Sequence, residues 1–372
     1  MKRLRFDLHG LSISIGADDA DLHDFIKAHF EAEKGDAAEG PIRIEAGWRW
    51  GRREAAREAA PGNAWKAGRG LTLIREETAS GAALRAVWTR VPDFPELTMT
   101  LGLEGDDLLP RLAIGATCAY EPRGLGRRLE YLRPGRVDRK RNRLFFKMMY
   151  FMVYYPVAWY FERTRGWGLL HASSVTMPSG RAVILSGLGG VGKSTLALTL
   201  LSRPGARFLS DNLLFHDEER IYACPEPVRL DASALAGITD AGIEPVRTKL
   251  PLQAHPKPTY QVGAARRAAS AAPAALYFLR FTERSSITPL DPGAAARMLE
   301  AGNDLAREIK DYRPCSALLT TLASERDGPP ESPRASLARL LESVPCAVVG
   351  IGRGETPSRT ASRLMERTEA AV

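Results

Sequence analysis

The sequence predicts a mixed α/β chain: an α/β domain over residues 166–372, preceded by a smaller α+β domain over residues 1–143. Three observations predict it. From Gly166 onward, short β-branched runs alternate with helix-like stretches, the pattern of a sheet covered by helices. Within that region a glycine-rich loop, Gly187–Ser194, stands between an apolar β-branched run and an apolar helix-like run. Before it, the first ~120 residues give short strands punctuated by Gly and Pro around one amphipathic helix.

Taken in order, "LRFDLHGLSISIG" alternates like two strands with a turn at His9-Gly10. "DADLHDFIKAHFEA" starts on an aspartate and sets Leu22, Phe25, Ile26 and Phe30 at helical spacing. "PIRIEAGWRW", "GLTLIREET", "ALRAVWTRV" and "PELTMTLGLE" read as strands. His9, His23 and His29 have no metal-ligand spacing and read as structural or surface residues.

The stretch 144–165 is a connecting helix, apolar from Leu144 to Phe161 except for Lys147, and Pro156 should kink it or end its first segment. Three readings fit it: a buried helix, which is the expected one, a subunit interface, or a weak membrane-surface contact over residues 139–161. Lys147 and Pro156 argue against a span. Net charge is +8, and Arg123–Lys147 holds ten Lys/Arg against Glu130 and Asp138. A solvated face with salt bridges is the expected reading of such a run, with no nucleic-acid partner. Cys118, Cys224, Cys315 and Cys346 are widely spaced, and no apolar leader follows the basic start. A cytoplasmic protein with buried thiols is expected.

In the second domain, "GWGLLHASSVTM", "RAVILSG", "RFLSDNLLF", "RIYACPEPVRL", "AALYFLRF" and "PCAVVGIG" are strand-like. Helices are expected at 194–202, 293–301, 316–323, 333–342 and 357–370. "RRAASAAPAA", residues 266–275, reads as a mobile loop.

Gly187–Ser194 matches G-x-x-x-x-G-K-[ST]. Its glycines let the backbone turn tightly and aim N–H groups at phosphate oxygens, and the following helix offers its positive end. Lys193 reaches the β/γ-phosphates and the Ser194 hydroxyl ligates Mg²⁺. Gly187, Gly189, Gly190, Val191, Gly192, Lys193, Ser194 and Thr195 are therefore the expected nucleotide-binding residues, with ATP and Mg²⁺ as cofactors.

Asp211 follows a short apolar strand, eighteen residues beyond Lys193. A strand returning beside the loop strand would put it at the same edge, able to hold Mg²⁺ or accept a hydroxyl proton; the plain alternative is a turn-forming Asp-Asn pair. His171, twenty-two residues before Lys193, either faces the phosphate and acceptor or is a satisfied histidine in a sheet. Asp231 reads as a helix N-cap, and Arg229, Lys249 and Lys257 as surface cations with a possible phosphate role.

The ordered set "LLHASSV", "RAVILSGLGGVGKSTLALTLL" and "RFLSDN" resembles the catalytic domain of the HPr kinase/phosphorylase family, closely over Gly168–Phe215 and in general layout over Ala275–Gly352. The resemblance implies an α/β P-loop kinase domain, similar in fold to phosphoenolpyruvate carboxykinase. It implies ATP/Mg²⁺-dependent phosphoryl transfer to a serine-type hydroxyl of a protein or peptide, and a homo-oligomer. It also implies catalytic roles for His171, Lys193 and Asp211 and metal binding by Ser194 and Asp211. Two departures stand out. The second residue of the family's acidic pair is Asn212, and "DASALAGITDAGIEPVRTKLP" stands in place of the family's glycine-rich signature. A small-molecule kinase and a nucleotide-gated regulatory protein are the alternatives.

Overall fold

The computed structural model describes residues 2–34, 40–50, 64–68, 70–78, 81–104, 111–120, 135–231, 234–235, 238, 241–250, 257–323 and 333–370. Two compact units emerge. One holds Met1–Trp159, Arg247–Pro256 and Asp311–Gly328; the other holds Tyr160–Val246, Lys257–Lys310 and Pro329–Val372. The two are of nearly equal length, so the first is not the smaller domain expected: later segments return to it.

The first unit is built on a nine-stranded sheet. Its strands are β1 (Lys2–Leu8), β2 (Leu11–Ala17), β3 (Glu33–Lys34), β4 (Ile42–Trp50), β5 (Ala64–Gly68), β6 (Leu71–Thr78), β7 (Gly81–Trp88), β8 (Leu97–Glu104) and β9 (Arg111–Tyr120). Their order is β3-β1-β2-β4-β9-β8-β7-β6-β5. The expected strands are there, together with β3, β5 and β9. His9 and Gly10 both take positive φ in the β1–β2 turn, which suits the twist of a tight hairpin.

Helix α1 (Ala20–Phe30) is capped by Asp19, whose carboxylate accepts from the N–H groups of Asp21 and Leu22 at 3.0 and 2.9 Å. It buries Leu22, Phe25, Ile26 and Phe30, the four residues at helical spacing. His29 is also buried, and its Nε2 meets the Tyr154 hydroxyl at 2.7 Å.

The connecting stretch runs as α2 (Arg136–Met149), a π-helical turn (Tyr150–Tyr154) and α3 (Tyr155–Arg165). Pro156 has no N–H for the carbonyl one turn back, and the wider turn just before it absorbs that mismatch. Apart from Lys147, Leu144–Phe161 is buried, so the apolar side chains that a membrane-surface contact would use lie inside the protein. No described helix is long and apolar enough to cross a membrane.

Of the basic run, residues 123–134 lie outside the described residues. In the rest, Arg141 binds Asp21 at 2.6 Å and Asp19 at 3.1 Å, and Lys140 binds Glu96 at 3.2 Å. Part of the run is therefore spent on internal ion pairs.

The second unit contains a six-stranded sheet of β11 (Ser173–Thr176), β12 (Ala182–Ser186), β13 (Arg207–Ser210), β20 (Pro273–Thr282), β21 (Ser286–Leu290) and β22 (Cys346–Gly352). The order is β13-β11-β12-β20-β22-β21, with β12, β20 and β22 mutually parallel. A four-stranded sheet is formed by β10 (Gly168–Leu170), β14 (Leu214–His216), β15 (Ile221–Ala223) and β19 (Ser270–Ala271). A three-stranded sheet holds β16 (Val228–Arg229), β17 (Ile243–Pro245) and β18 (Thr259–Val262).

Along the six-stranded sheet, alternate residues face opposite layers. Val183, Leu185, Ala275, Tyr277 and Leu279 join a core with helices α4 (Lys193–Leu201) and α8 (Pro357–Glu369). Ala182, Ile184, Leu276 and Phe278 join a core on the other face with α5 (Pro292–Leu305) and α7 (Pro333–Glu342). Both faces are covered, as a parallel sheet requires. Helix α6 (Arg307–Ala323) starts well before the expected 316, because Pro314 lies inside it and reads as a breaker. Residues 266–275 are not a loose loop: β19 pairs with β15, and β20 begins at Pro273.

"GWGLLHASSVTM" and "RFLSDNLLF" each divide into two strands. β10 pairs with β14 in one sheet, and β11 pairs with β13 in another. The return strand β13 therefore lies next to β11 and not next to the loop strand β12, as the sequence suggested. It still runs parallel to β12, since both are antiparallel to β11.

On β14, His216 packs so closely against Gly168 that a Cβ there would lie 2.1 Å from its Nε2. Burial pushes this imidazole down to about 4. The native state holds it neutral while the unfolded chain takes a proton below ~6.5, so stability falls as pH drops from about 6.5 toward 4. Urea unfolding should show about 2 kcal/mol less stability from this group at pH 5 than at pH 8. His216→Asn, which cannot titrate, should flatten that part of the profile; an unchanged slope would remove the assignment.

Candidate functional site

The strand β12 is fully buried and runs straight into Gly187. Gly187 has φ +138°, and a Cβ on it would lie 2.6 Å from the Leu279 carbonyl oxygen of β20, so only glycine fits this exit. Gly192 caps α4 at φ +96° with no side-chain hydrogen bond. The first N–H groups of α4 therefore meet no capping side chain and face the loop, the arrangement that favours an anion.

Lys193 is buried and curls back over this loop, donating to the Gly187 and Leu188 carbonyls at 2.8 and 3.2 Å. Burial pulls its pKa down, while Asp211 and Glu308 pull it up. A cleft of about 560 Å³ opens here. Gly187, Gly189, Gly190, Gly192, Lys193, Ser194 and Thr195 line it. Val191 is not in the lining: its side chain belongs to the apolar core and its N–H points to the Leu188 carbonyl at 3.4 Å.

His171 and Asp211 line the same cleft. His171 sits in the gap between β10 and β11, and Asp211 in the gap between β13 and β14. The register sets Leu170 opposite Leu214 and Ser174 opposite Ser210, so the two gaps face each other. Both gaps lie at the edge where β12 ends.

The His171 backbone N–H is held by Asn303 Oδ1 at 2.9 Å, and Asn303 Nδ2 donates to the Leu169 carbonyl at 3.2 Å. Burial, then the nearby Lys193 ammonium, lowers the His171 pKa; Glu308, Asp211 and a hydrogen bond to the Asn212 backbone oppose this. The ring is neutral at pH 7, and its Nδ1 is buried with no hydrogen-bond partner among the described residues. The Asp211 carboxylate is buried and accepts a hydrogen bond from the Ser173 hydroxyl.

Asn212 has φ +71°, a left-handed conformation that asparagine tolerates better than most residues. Its amide turns away to donate to Glu226 Oε2 at 3.0 Å. Arg229 lies 3.6 Å from the buried Glu226 and 3.9 Å from Glu308, so an ionic ladder joins them, with Arg229 and Glu308 in the cleft lining. Asp231 accepts from the Ala234 N–H at 2.9 Å, the capping geometry expected of it, and sits 3.7 Å from Lys257 on the cleft wall. Lys249 is not among the lining residues; its N–H donates to Asp24 at 2.7 Å.

Sequence reasoning missed Ser173, Glu226, Asn303 and Glu308. Ser173 was within reach, as a hydroxyl two residues after His171 in "HASS". Asn303 and Glu308 lie far along the chain from the loop and Asp211, and carry no local signal.

The donor set suits a hard cation. Among the described residues, no group of three His, Cys, Asp or Glu side chains could hold a metal by itself. The Ser194 hydroxyl and Asp211 carboxylate are oxygen donors on one cleft, which fits a Mg²⁺ held jointly with substrate phosphates.

No family model matches the chain, and no curated protein matches it. Among solved structures it is similar to the Hpr(Ser) kinase/phosphatase from Coxiella burnetii, at 10% identity and a TM-score of 0.28, over 54% of this chain and 97% of that one. The likeness is distant.

Proposed function

We propose that the chain is an ATP- and Mg²⁺-dependent phosphotransferase that moves the terminal phosphoryl group to a serine-type hydroxyl of a protein or peptide. One observation carries the reading: the glycine loop with Lys193, neutral His171 and Asp211, whose carboxylate is held by the buried Ser173 hydroxyl, line one cleft at one sheet edge.

In this reading the loop N–H groups and the start of α4 hold the phosphates, and Lys193 leaves its loop carbonyls to neutralise the β/γ-oxygens. Mg²⁺, when bound through Ser194 and Asp211, supplies further charge neutralisation. Asp211, fixed in direction by Ser173, orients the acceptor hydroxyl and takes its proton. His171, neutral, adds no positive charge to compete with Lys193 and presents its unpartnered Nδ1 to a donor.

The test is calorimetric titration of the protein with ATP and Mg²⁺, followed by labelled-phosphate transfer to serine peptides. Saturable binding with transfer is expected; absence of both would overturn the reading. Asn212 favours a second reading, a nucleotide-gated regulatory protein with little transfer, because an amide cannot serve as a base. There, Lys193→Ala should abolish nucleotide-dependent partner binding while Asp211→Ala leaves it intact. Equal loss in both variants counts against it.

A further inference from the structure

Six large apolar side chains are exposed among the described residues, and two of them, Leu188 and Leu305, line the cleft. Single exposed leucines mean little, but a pair lining a polar cleft is the pattern of an interaction surface. Leu188 and Leu305 both line the cleft, yet stay 65% and 61% exposed.

Their position along the cleft is informative. The Leu188 carbonyl accepts from the Lys193 ammonium at 3.2 Å. Leu305 follows by two residues Asn303, which holds the His171 backbone at 2.9 Å. Both leucines are thus tied to the two groups assigned to the transferred phosphoryl. Resting on the phosphotransferase reading, the geometry points to a polypeptide acceptor whose hydroxyl residue is flanked by large apolar side chains that seat on Leu188 and Leu305. A small polar metabolite gains nothing from such a rim, whereas each apolar flank covers surface now in water.

The experiment uses two fluorescein-labelled serine peptides, one flanked by leucine and phenylalanine, the other by glutamine and asparagine. Binding to the full chain is read by anisotropy, with and without a non-hydrolysable ATP analogue and Mg²⁺, and nucleotide binding is titrated separately. The apolar peptide should bind about tenfold more tightly, and Leu305→Gln or Leu188→Gln should erase most of that preference. Equal binding of the two peptides overturns the proposal, whether or not nucleotide binds. So does a Leu305→Gln variant that weakens the nucleotide and leaves the peptide preference in place, since the rim would then hold the base. Failure of nucleotide binding in the wild type overturns the phosphotransferase reading instead, because the peptide comparison is read without nucleotide as well.

Discussion

Lys193→Ala should lower kcat/KM for phosphoryl transfer by about 10²–10³-fold or more, the usual cost of losing a preorganised charge at a developing anion. The ammonium sits within hydrogen-bonding distance of the loop's first two carbonyls, in the lining of the cleft. Its removal leaves those carbonyls facing the cleft, where water can satisfy them, so the fold should survive. Lys193→Arg should not rescue activity, because a planar guanidinium does not replace a compact ammonium on a short reach. Steady-state kinetics with a urea-unfolding control separates the two effects. A folded Lys193→Ala protein keeping more than a tenth of the activity would remove the lysine from the reaction.

Asp211→Asn should be the more selective lesion. The amide oxygen can still accept from the Ser173 hydroxyl, so the local structure should change little. The charge and the basic oxygen are lost, and kcat should fall by about 10²–10⁴-fold. If kcat instead stays level in a pre-steady-state measurement, Asp211 belongs to the turn and not to the chemistry. Ser173→Ala offers a graded comparison: it frees the carboxylate without removing it, and a smaller fall is expected.

The sequence disclosed the loop because its spacing is rigid and its context, strand before and helix after, can be read locally. It disclosed His171 and Asp211 through their order around the loop. It did not disclose why those residues share an edge. "LLHASSV" and "FLSDNLLF" are continuous enough in apolar residues to read as single strands, and only tertiary pairing divides each between two sheets. The strand β9 escaped for a related reason. Its burial alternates cleanly through Leu112, Ile114, Ala116, Cys118 and Tyr120, but the small residues among them mute the signal. Glu308 was out of reach because the expected helix starts only at 316, beyond Pro314, whereas the observed one already includes Glu308.

The two strand gaps have a consequence for how this edge can change. The ladders next to the gaps are held by Leu170, Ser174, Ser210 and Leu214. Residues 171, 211 and 212 lie outside every ladder, so replacing their side chains costs no strand pairing. Architecture and chemistry are written at separate positions. Under the phosphotransferase reading, the chemistry at this edge can therefore be retuned one residue at a time while the scaffold stays the same.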